Sequence, residues 1–334
     1  MEVPMYPSSA VLRVWLSCCC VILLLVGAPQ AASASSAIPS VVVTTEPLKP
    51  LVDALLKGIT ESTSLTRPGQ DAHVMSLSPS QMRALDKADL IILPDRAMNP
   101  VVSQLLDKHG QSANALVLTE LDVAEPLPYP TGEPWLGEKT KPSTNDAALD
   151  PHLWMDPLRM AQVMPVIAET LAEVSPQNAA LIRSNAQALE AHLRTVVHPN
   201  LQRMLAPAIK EKRFGTKPFI PYVTAHRAYQ YFFARYGLKD YGALHERPEE
   251  FLGARSSRDL LKRAGEVEIG CLLAEQDSIT TTRVAQASGA KLVHISPEFS
   301  TARTNADPAA AWVSNDYDAL LHDTALQFAD CLKK

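Results

Sequence analysis

Val41-Val42-Val43-Thr44-Thr45 is a β-branched run that stops at Pro47, and Leu48, Leu51, Val52, Leu55 and Leu56 follow it at helical spacing up to Gly58. Branched side chains suit a pleated surface, so this reads as a strand feeding a helix. The alternation continues downstream. Ser78-Pro79-Ser80-Gln81 predicts a second helix start, because Ser78 can cap, Pro79 fits the first helical position and Gln81 can close a capping box. Ala88 to Leu93 reads as a short buried strand ended by Pro94, Val101 to Leu106 as a helix, and Ala115 to Leu118 as another strand. Strands alternating with helices imply a parallel sheet covered on both faces.

The pattern breaks over 124–149, which is rich in Pro, Gly, Glu, Thr and Lys and reads as a long surface loop. Helices are expected from Pro157 to Val174 and from Pro176 to about Ala206, the second with Leu181, Ile182, Ala186, Leu189, Leu193 and Val196 along one face. Thirty helical residues span about 45 Å, enough for a rigid link between two lobes. A second alternating unit then follows. Strands are expected at Phe219 to Thr224, Gly242 to Leu244, Cys271 to Ala274 and Leu292 to Ile295. Helices are expected at Ala225 to Tyr236, Ser256 to Ala264, Thr281 to Ala287 and from about Asp307 or Ser314 to Leu332. The expected fold is α/β: two Rossmann-like lobes with parallel sheets, joined by a long rigid linking helix. The N-terminal lobe takes 40–157, the helical region 158–206 and the C-terminal lobe 217–334.

The N-terminus reads as an address. Arg13 precedes the apolar run Val14 to Ala28, and Ala32-Ser33-Ala34 supplies small residues for cleavage. This is the order of a secretory signal peptide over 1–34, and the run falls short of the ~20 apolar residues that span a bilayer. Cys18, Cys19 and Cys20 lie inside that run, which argues against a lipid anchor. Cleavage leaves two cysteines, Cys271 and Cys331. An even pair in an oxidising compartment reads as one disulfide, with two buried free thiols as the other reading. The formal net charge of -5, without a long like-charge run, is poorly suited to a phosphate backbone, so nucleic acid is not expected as a partner.

Nine histidines are present, and three sit at junctions between expected elements. His73 lies just before the capped helix, His152 just after the long loop, and His226 where a strand passes into a helix. Ligands of open α/β sheets bind beyond the carboxyl ends of the strands, so these three could converge on one cleft. Imidazole suits zinc, copper, iron and nickel. Spacing alone does not select these histidines, since no local motif such as H-E-x-x-H is present. His109, His192, His198 and His322 read as solvated helix residues. His245 reads as a loop residue near the cleft, and His294 as a packed or hydrogen-bonded strand residue.

The surroundings of the three histidines are more informative. Pro68…His73-Val74-Met75-Ser76-Leu77-Ser78-Pro79-Ser80, Asp150-Pro151-His152-Leu153-Trp154-Met155-Asp156-Pro157 and Ala225-His226-Arg227-Ala228-Tyr229-Gln230-Tyr231-Phe232 come in this order. Together they resemble the three ligand motifs of the metal-binding subunits of zinc and manganese ABC transporters, the cluster A-I solute-binding proteins. Cys271-Leu272-Leu273-Ala274-Glu275-Gln276 with Cys331-Leu332 resembles the cysteine pair of the periplasmic zinc-uptake members. The resemblance covers roughly 40–332. It implies two lobes with a divalent metal held between them by His73, His152 and His226, and a disulfide between Cys271 and Cys331. Histidine at the third position favours zinc over manganese.

Two departures stand out. The family's frequent fourth ligand is an aspartate after a late strand, where this chain has Ser296 in His294-Ile295-Ser296-Pro297-Glu298. Glu298, Glu275 or a water could fill that place. The loop at 124–149 contains no histidine, unlike the histidine-rich loop of many zinc-uptake members. The resemblance implies a periplasmic, monomeric, non-enzymatic protein that captures Zn2+, with Mn2+ as the second choice, and delivers it to a membrane permease. The alternatives are a secreted zinc hydrolase built on the same three histidines, with Glu275 or Glu298 as its base, and an adhesin or a binder of another solute.

Overall fold

The computed structural model describes Met1 and residues 38–136, 141–142, 148–210, 221–245, 254–299 and 310–332. The expected signal peptide over 1–34 lies outside the described residues, apart from Met1. Two four-stranded sheets, each wholly parallel, form the frame. The first contains β1 (Val41–Val43), β2 (Thr63–Ser64), β3 (Leu90–Leu93) and β4 (Ala115–Val117) in the order β2-β1-β3-β4. The short pair β5 (Pro130–Thr131) and β6 (Lys141–Pro142) follows in the connection. The second sheet contains β7 (Tyr222–His226), β8 (Ala243–His245), β9 (Cys271–Ala274) and β10 (Lys291–His294) in the order β10-β9-β7-β8. Both sheets therefore place the first strand of their lobe between the second and the third.

Alternating side chains explain why these strands read as apolar runs. Val41, Val43, Leu90 and Ile92 enter the main core, whereas Val42 and Ile91 enter a separate cluster with Leu85, Val102 and Leu106 on the other face. The second sheet repeats this arrangement. Tyr222, Cys271 and Leu273 face the main core, and Val223 and Leu272 face an outer cluster with Val284 and Ala264. Both sheets are covered on both sides, as parallel sheets require.

The helices on the N-terminal sheet are α1 (Lys49–Leu55), α2 (Pro79–Asp86) and α3 (Pro100–Lys108). The start of α2 has the expected chemistry: Ser78 Oγ accepts from the Gln81 amide, and the Gln81 side chain accepts from the Ser78 amide. The central helices are α4 (Pro157–Val174), α5 (Ala179–His192) and α6 (His198–Lys210). Asp156 caps α4 by accepting from the amides of Leu158 and Arg159. A π-helical turn over Leu193–Val197 joins α5 to α6 and makes one long helical run. Pro199 follows it and has no N–H to offer the preceding turn. The Asn200 side chain covers the Val196 carbonyl there, at 2.7 Å.

The C-terminal lobe carries α7 (Gln230–Tyr236), α8 (Ala254–Ala264), α9 (Ile279–Ser288) and α10 (Asp316–Leu332). One apolar core runs through β1, α4, α5, α6, β9 and α10, so the central helices are packed into both lobes. Cys271 of β9 and Cys331 of α10 are joined by a disulfide, with Cα atoms 5.8 Å apart. Among the described residues no helix is long and apolar enough to cross a membrane.

Four sequence expectations need correction. Thr63–Ser64 is a strand the apolar pattern did not announce, because its residues are short and polar and it lies at the sheet edge. The helix expected from Ala225 starts at Gln230, and His226 is the last residue of β7. His322, expected in solvent, is buried against Trp312, with ring centroids 5.7 Å apart. The described part of the expected surface loop at 124–149 is anchored: Tyr129 and Trp135 are buried, and Trp135 belongs to the outer apolar cluster of the C-terminal lobe.

Candidate metal centre

Strand ends and short connections bring the three histidines to one place. His226 closes β7, His152 precedes the 3-10 turn Leu153–Met155 that leads into α4, and His73 lies between β2 and α2. The Nε2 atoms of His73 and His152 are 3.2 Å apart, and those of His226 and His152 are 3.3 Å apart. Ring centroids are separated by 5.1–5.7 Å. Among the described residues, these three form the group of metal-ligand types whose donor atoms all lie within 4.8 Å of one another. Three imidazole nitrogens at such separations fit around a cation held at about 2.0–2.1 Å from each.

Carboxylates orient two of the rings. Asp150 Oδ1 lies 2.7 Å from His152 Nδ1 and also accepts the His152 amide at 3.0 Å. Glu275 Oε1, just beyond β9, lies 2.6 Å from His226 Nδ1. Both contacts assign the proton to Nδ1 and leave the Nε2 lone pair facing the partner rings. Trp154 is fully buried beside His152, with centroids 5.2 Å apart, and its Nε1 donates to the Pro297 carbonyl at 2.6 Å.

The electrostatics follow from this packing. Burial holds His152 well below the usual histidine range, and the neighbouring His226 charge pushes the same way. Burial also pushes His226 down, but the surrounding carboxylates, Glu275 foremost with Glu298 and Asp71, together more than offset this, so the ring titrates above the usual value. Glu275 shifts in the opposite sense: burial would raise it, and His226 brings it below the usual carboxylate value. Burial pushes Asp150 up to about 7 and Glu298 up to about 8. Asp71 is also raised, chiefly by burial, despite accepting the His73 amide at 2.8 Å.

A cleft of about 120 Å³ opens beside the rings, lined by Asp71, His226, Glu275, Ser296 and Glu298 among others. The two carboxylates considered as fourth ligands both have other partners. Glu275 sits behind His226, and both Glu298 oxygens accept from the Ala72 amide, at 3.1 and 3.2 Å. Ser296 Oγ accepts from the Glu298 amide at 3.1 Å. The remaining histidines are engaged elsewhere. His109 meets Asp86 at 2.9 Å, His192 meets Asp318 at 2.9 Å, and His294 meets Asp277 at 3.0 Å. His198 lies 3.4 Å from the Tyr236 hydroxyl, and His245 ends β8 opposite His226.

Sequence reasoning did not pick out Asp150, Asn99 or the buried Arg227. Asp150 had a usable signal, since an acid two residues before a candidate ligand histidine can turn back onto its ring. Arg227 had none. Its guanidinium reaches Asp240 at 3.2 Å and pairs with Glu133 from the 124–149 segment.

Known proteins resemble this chain over two thirds of its length or more. The zinc-uptake protein ZnuA of Brucella suis is 26% identical over an alignment covering 88% of this chain and 92% of the relative. The manganese-binding lipoprotein MntA of Bacillus subtilis is 26% identical over 69% of this chain and 68% of its own length. A ZnuA crystal structure superposes with a TM-score of 0.65 at 19% identity, covering 89% of this chain and 100% of the other, and so shares the two-lobed α/β fold. Residues 41–331 match the family model described as zinc-uptake complex component A, periplasmic, and the chain belongs to that family.

Proposed function

We propose that this protein captures a zinc ion in the periplasm with His73, His152 and His226 and delivers it to the permease of an ABC transporter. The observation that carries this reading is the convergence of three Nε2 atoms, two of them oriented by carboxylates on the opposite ring nitrogen. Imidazole donors favour zinc over manganese, which prefers oxygen ligands. Membership of a periplasmic uptake family supports export, with the N-terminal 1–34 segment as a cleaved signal peptide. Transport suits the site better than hydrolysis. A zinc hydrolase needs a free base beside the metal-bound water, and Glu275 and Glu298 are committed to His226 and Ala72. The shared apolar core argues against wide opening of the lobes, so release is expected to begin with local movement of a ligand-bearing loop.

The test is calorimetric titration of metal-free mature protein with Zn2+ and Mn2+, beside His73→Ala, His152→Ala and His226→Ala. One zinc per monomer is expected, bound more tightly than manganese and weakened by each substitution. Unchanged zinc affinity in all three variants would remove the site.

A further inference from the structure

The segment Ser296-Pro297-Glu298 touches both ligand-bearing connections of the N-terminal half, and does so next to the ligands themselves. The Pro297 carbonyl accepts from Trp154, two residues after His152, and the Glu298 carboxylate accepts from the amide of Ala72, one residue before His73. We propose that Glu298 is a positioning residue and not a metal ligand: it latches the His73 loop to the C-terminal lobe through the Ala72 amide. The inference rests on the three-histidine reading of the site.

The geometry gives the latch a defined grip. The Ala72 peptide is held from both sides, because its carbonyl accepts from Asn99 Nδ2 at 2.7 Å. Asn99 is buried and is fixed in turn by Thr44, whose Oγ1 donates to Asn99 Oδ1 at 2.8 Å. Asn99 and Thr44 belong to the N-terminal lobe, so Glu298 supplies the hold from the other lobe. Glu298 is itself aimed by its own turn, through the bond from its amide to Ser296 Oγ. The Ser296 hydroxyl thus fixes the turn that leads to Glu298. Glu298 is buried, only 7% exposed, so little water is at hand to replace a lost Ala72 contact. It also stands outside the group of donor atoms formed by the three rings. To ligate the ion, Glu298 would have to move towards the rings and weaken its hold on Ala72. As a latch, it stiffens the loop that presents His73 while the ion keeps its remaining position for water.

Glu298→Gln and Glu298→Ala separate the two roles, because a glutamine oxygen can still accept from an amide but is a poor zinc ligand. Zinc affinity is measured by competition with a chromogenic chelator. Cobalt is substituted for zinc, and its visible absorption reports the donor set. Hydrogen exchange is followed at the peptide containing Ala72. The latch predicts that Glu298→Gln stays within about 5-fold of wild-type zinc affinity, since glutamine keeps an acceptor oxygen for the Ala72 amide. Its cobalt spectrum should be unchanged and Ala72 should remain protected. Glu298→Ala should weaken zinc by roughly 10–100-fold, the usual cost of losing a group that orients a ligand, with faster exchange at Ala72 and the same cobalt band. If Glu298→Ala does not fold, the glutamine variant and the exchange data still decide. An affinity loss in Glu298→Gln equal to that in Glu298→Ala, with an altered cobalt band, overturns the latch in favour of ligation. Wild-type affinity in Glu298→Ala overturns it in favour of no role. A folded wild-type protein that takes up no zinc overturns the three-histidine reading, and the latch falls with it.

Discussion

Glu275 Oε1 lies 2.6 Å from Nδ1 of His226, on the side of the ring away from the other two histidines. The carboxylate fixes the tautomer and the ring plane before any ion arrives, and it makes the opposite nitrogen a better donor. Glu275→Ala should therefore weaken zinc binding by roughly 10–100-fold with one site per monomer retained. Glu275→Gln, which keeps an acceptor oxygen, should lose less. Chelator competition measures both, and equal affinity in wild type and Glu275→Ala would show that the ring needs no such support.

The same pair sets the response to acid. Zinc and a proton compete for the imidazole lone pair, so affinity falls as pH falls through the histidine range. His152 is held low by burial and stays neutral, whereas Glu275 raises His226 above its usual value. Of these two rings His226 is thus the first to be lost on acidification, starting above the ordinary histidine pKa of about 6.5. Removing the Glu275 charge in Glu275→Gln should move the acid limb of the affinity profile to lower pH, even though absolute affinity drops. Titrations between pH 8 and pH 5.5 read this directly, and a limb that moves to higher pH would contradict the assignment.

Another histidine–carboxylate pair, outside the three-histidine group, bears on stability instead. His192 of α5 meets the fully buried Asp318 of α10 at 2.9 Å, and the hydrogen bond it donates to Asp318 raises the histidine pKa against a smaller opposing effect of burial. A raised folded-state pKa means the charged pair stabilises fully below the unfolded pKa of about 6.5 and is lost as pH rises through the folded value. His192→Gln should therefore lower Tm most near pH 6 and least near pH 8.5. Thermal scans of both proteins across that range check the sign.

The disulfide gives a prediction independent of the metal. It closes a segment of 60 residues between β9 and α10, and both cysteines are buried. Replacing the pair by alanine removes a constraint on the unfolded chain worth about 2–4 kcal/mol. Denaturant unfolding of the double variant should show that loss. Zinc stoichiometry should remain at one, because neither cysteine touches the histidines.

The sequence was most legible where local chemistry decides structure. The Ser78–Gln81 capping box, the strand Cys271–Ala274 and the start of α4 at Pro157 needed only side chains a few residues apart, and the structure has each of them. The three histidines were singled out by the residues around them, whereas their convergence depends on where two separate sheets end. Nothing local could assign Glu298 to Ala72, since 226 residues separate them. Nor could it place His322: an isolated histidine on a helix leaves its burial to the partner helices. The anchoring within the 124–149 segment was hidden for a related reason. Its Pro, Gly and charged residues suit a loop, and two buried aromatic residues, Tyr129 and Trp135, anchor it, the larger being Trp135.

That residue, Trp135, supports a last prediction. Its ring is 6% exposed and packs with Val223, Leu244 and Leu272 on the outer face of the second sheet. Its indole donates to the Ala243 carbonyl at 3.2 Å, and its amide donates to the Tyr241 carbonyl at 2.9 Å. Glu133 reinforces the contact by accepting from the Ala243 amide at 2.8 Å and pairing with Arg227. Gly242 between these carbonyls has φ +102°, and a Cβ there would fall 2.0 Å from Glu133 Oε2, so only glycine lets the segment lie this close. If the segment were a free loop, Trp135→Ala would cost almost nothing. As a seated element it should lose about 3–5 kcal/mol on removal of the buried ring, while Trp135→Phe should lose less because it keeps most of the packing. Gly242→Ala should act in the same direction through the Glu133 clash. Because Arg227 adjoins His226, the Trp135→Ala variant should also bind zinc more weakly. Denaturant unfolding and zinc competition on the same protein samples test both effects, and unchanged stability in Trp135→Ala would return the segment to the status of a surface loop.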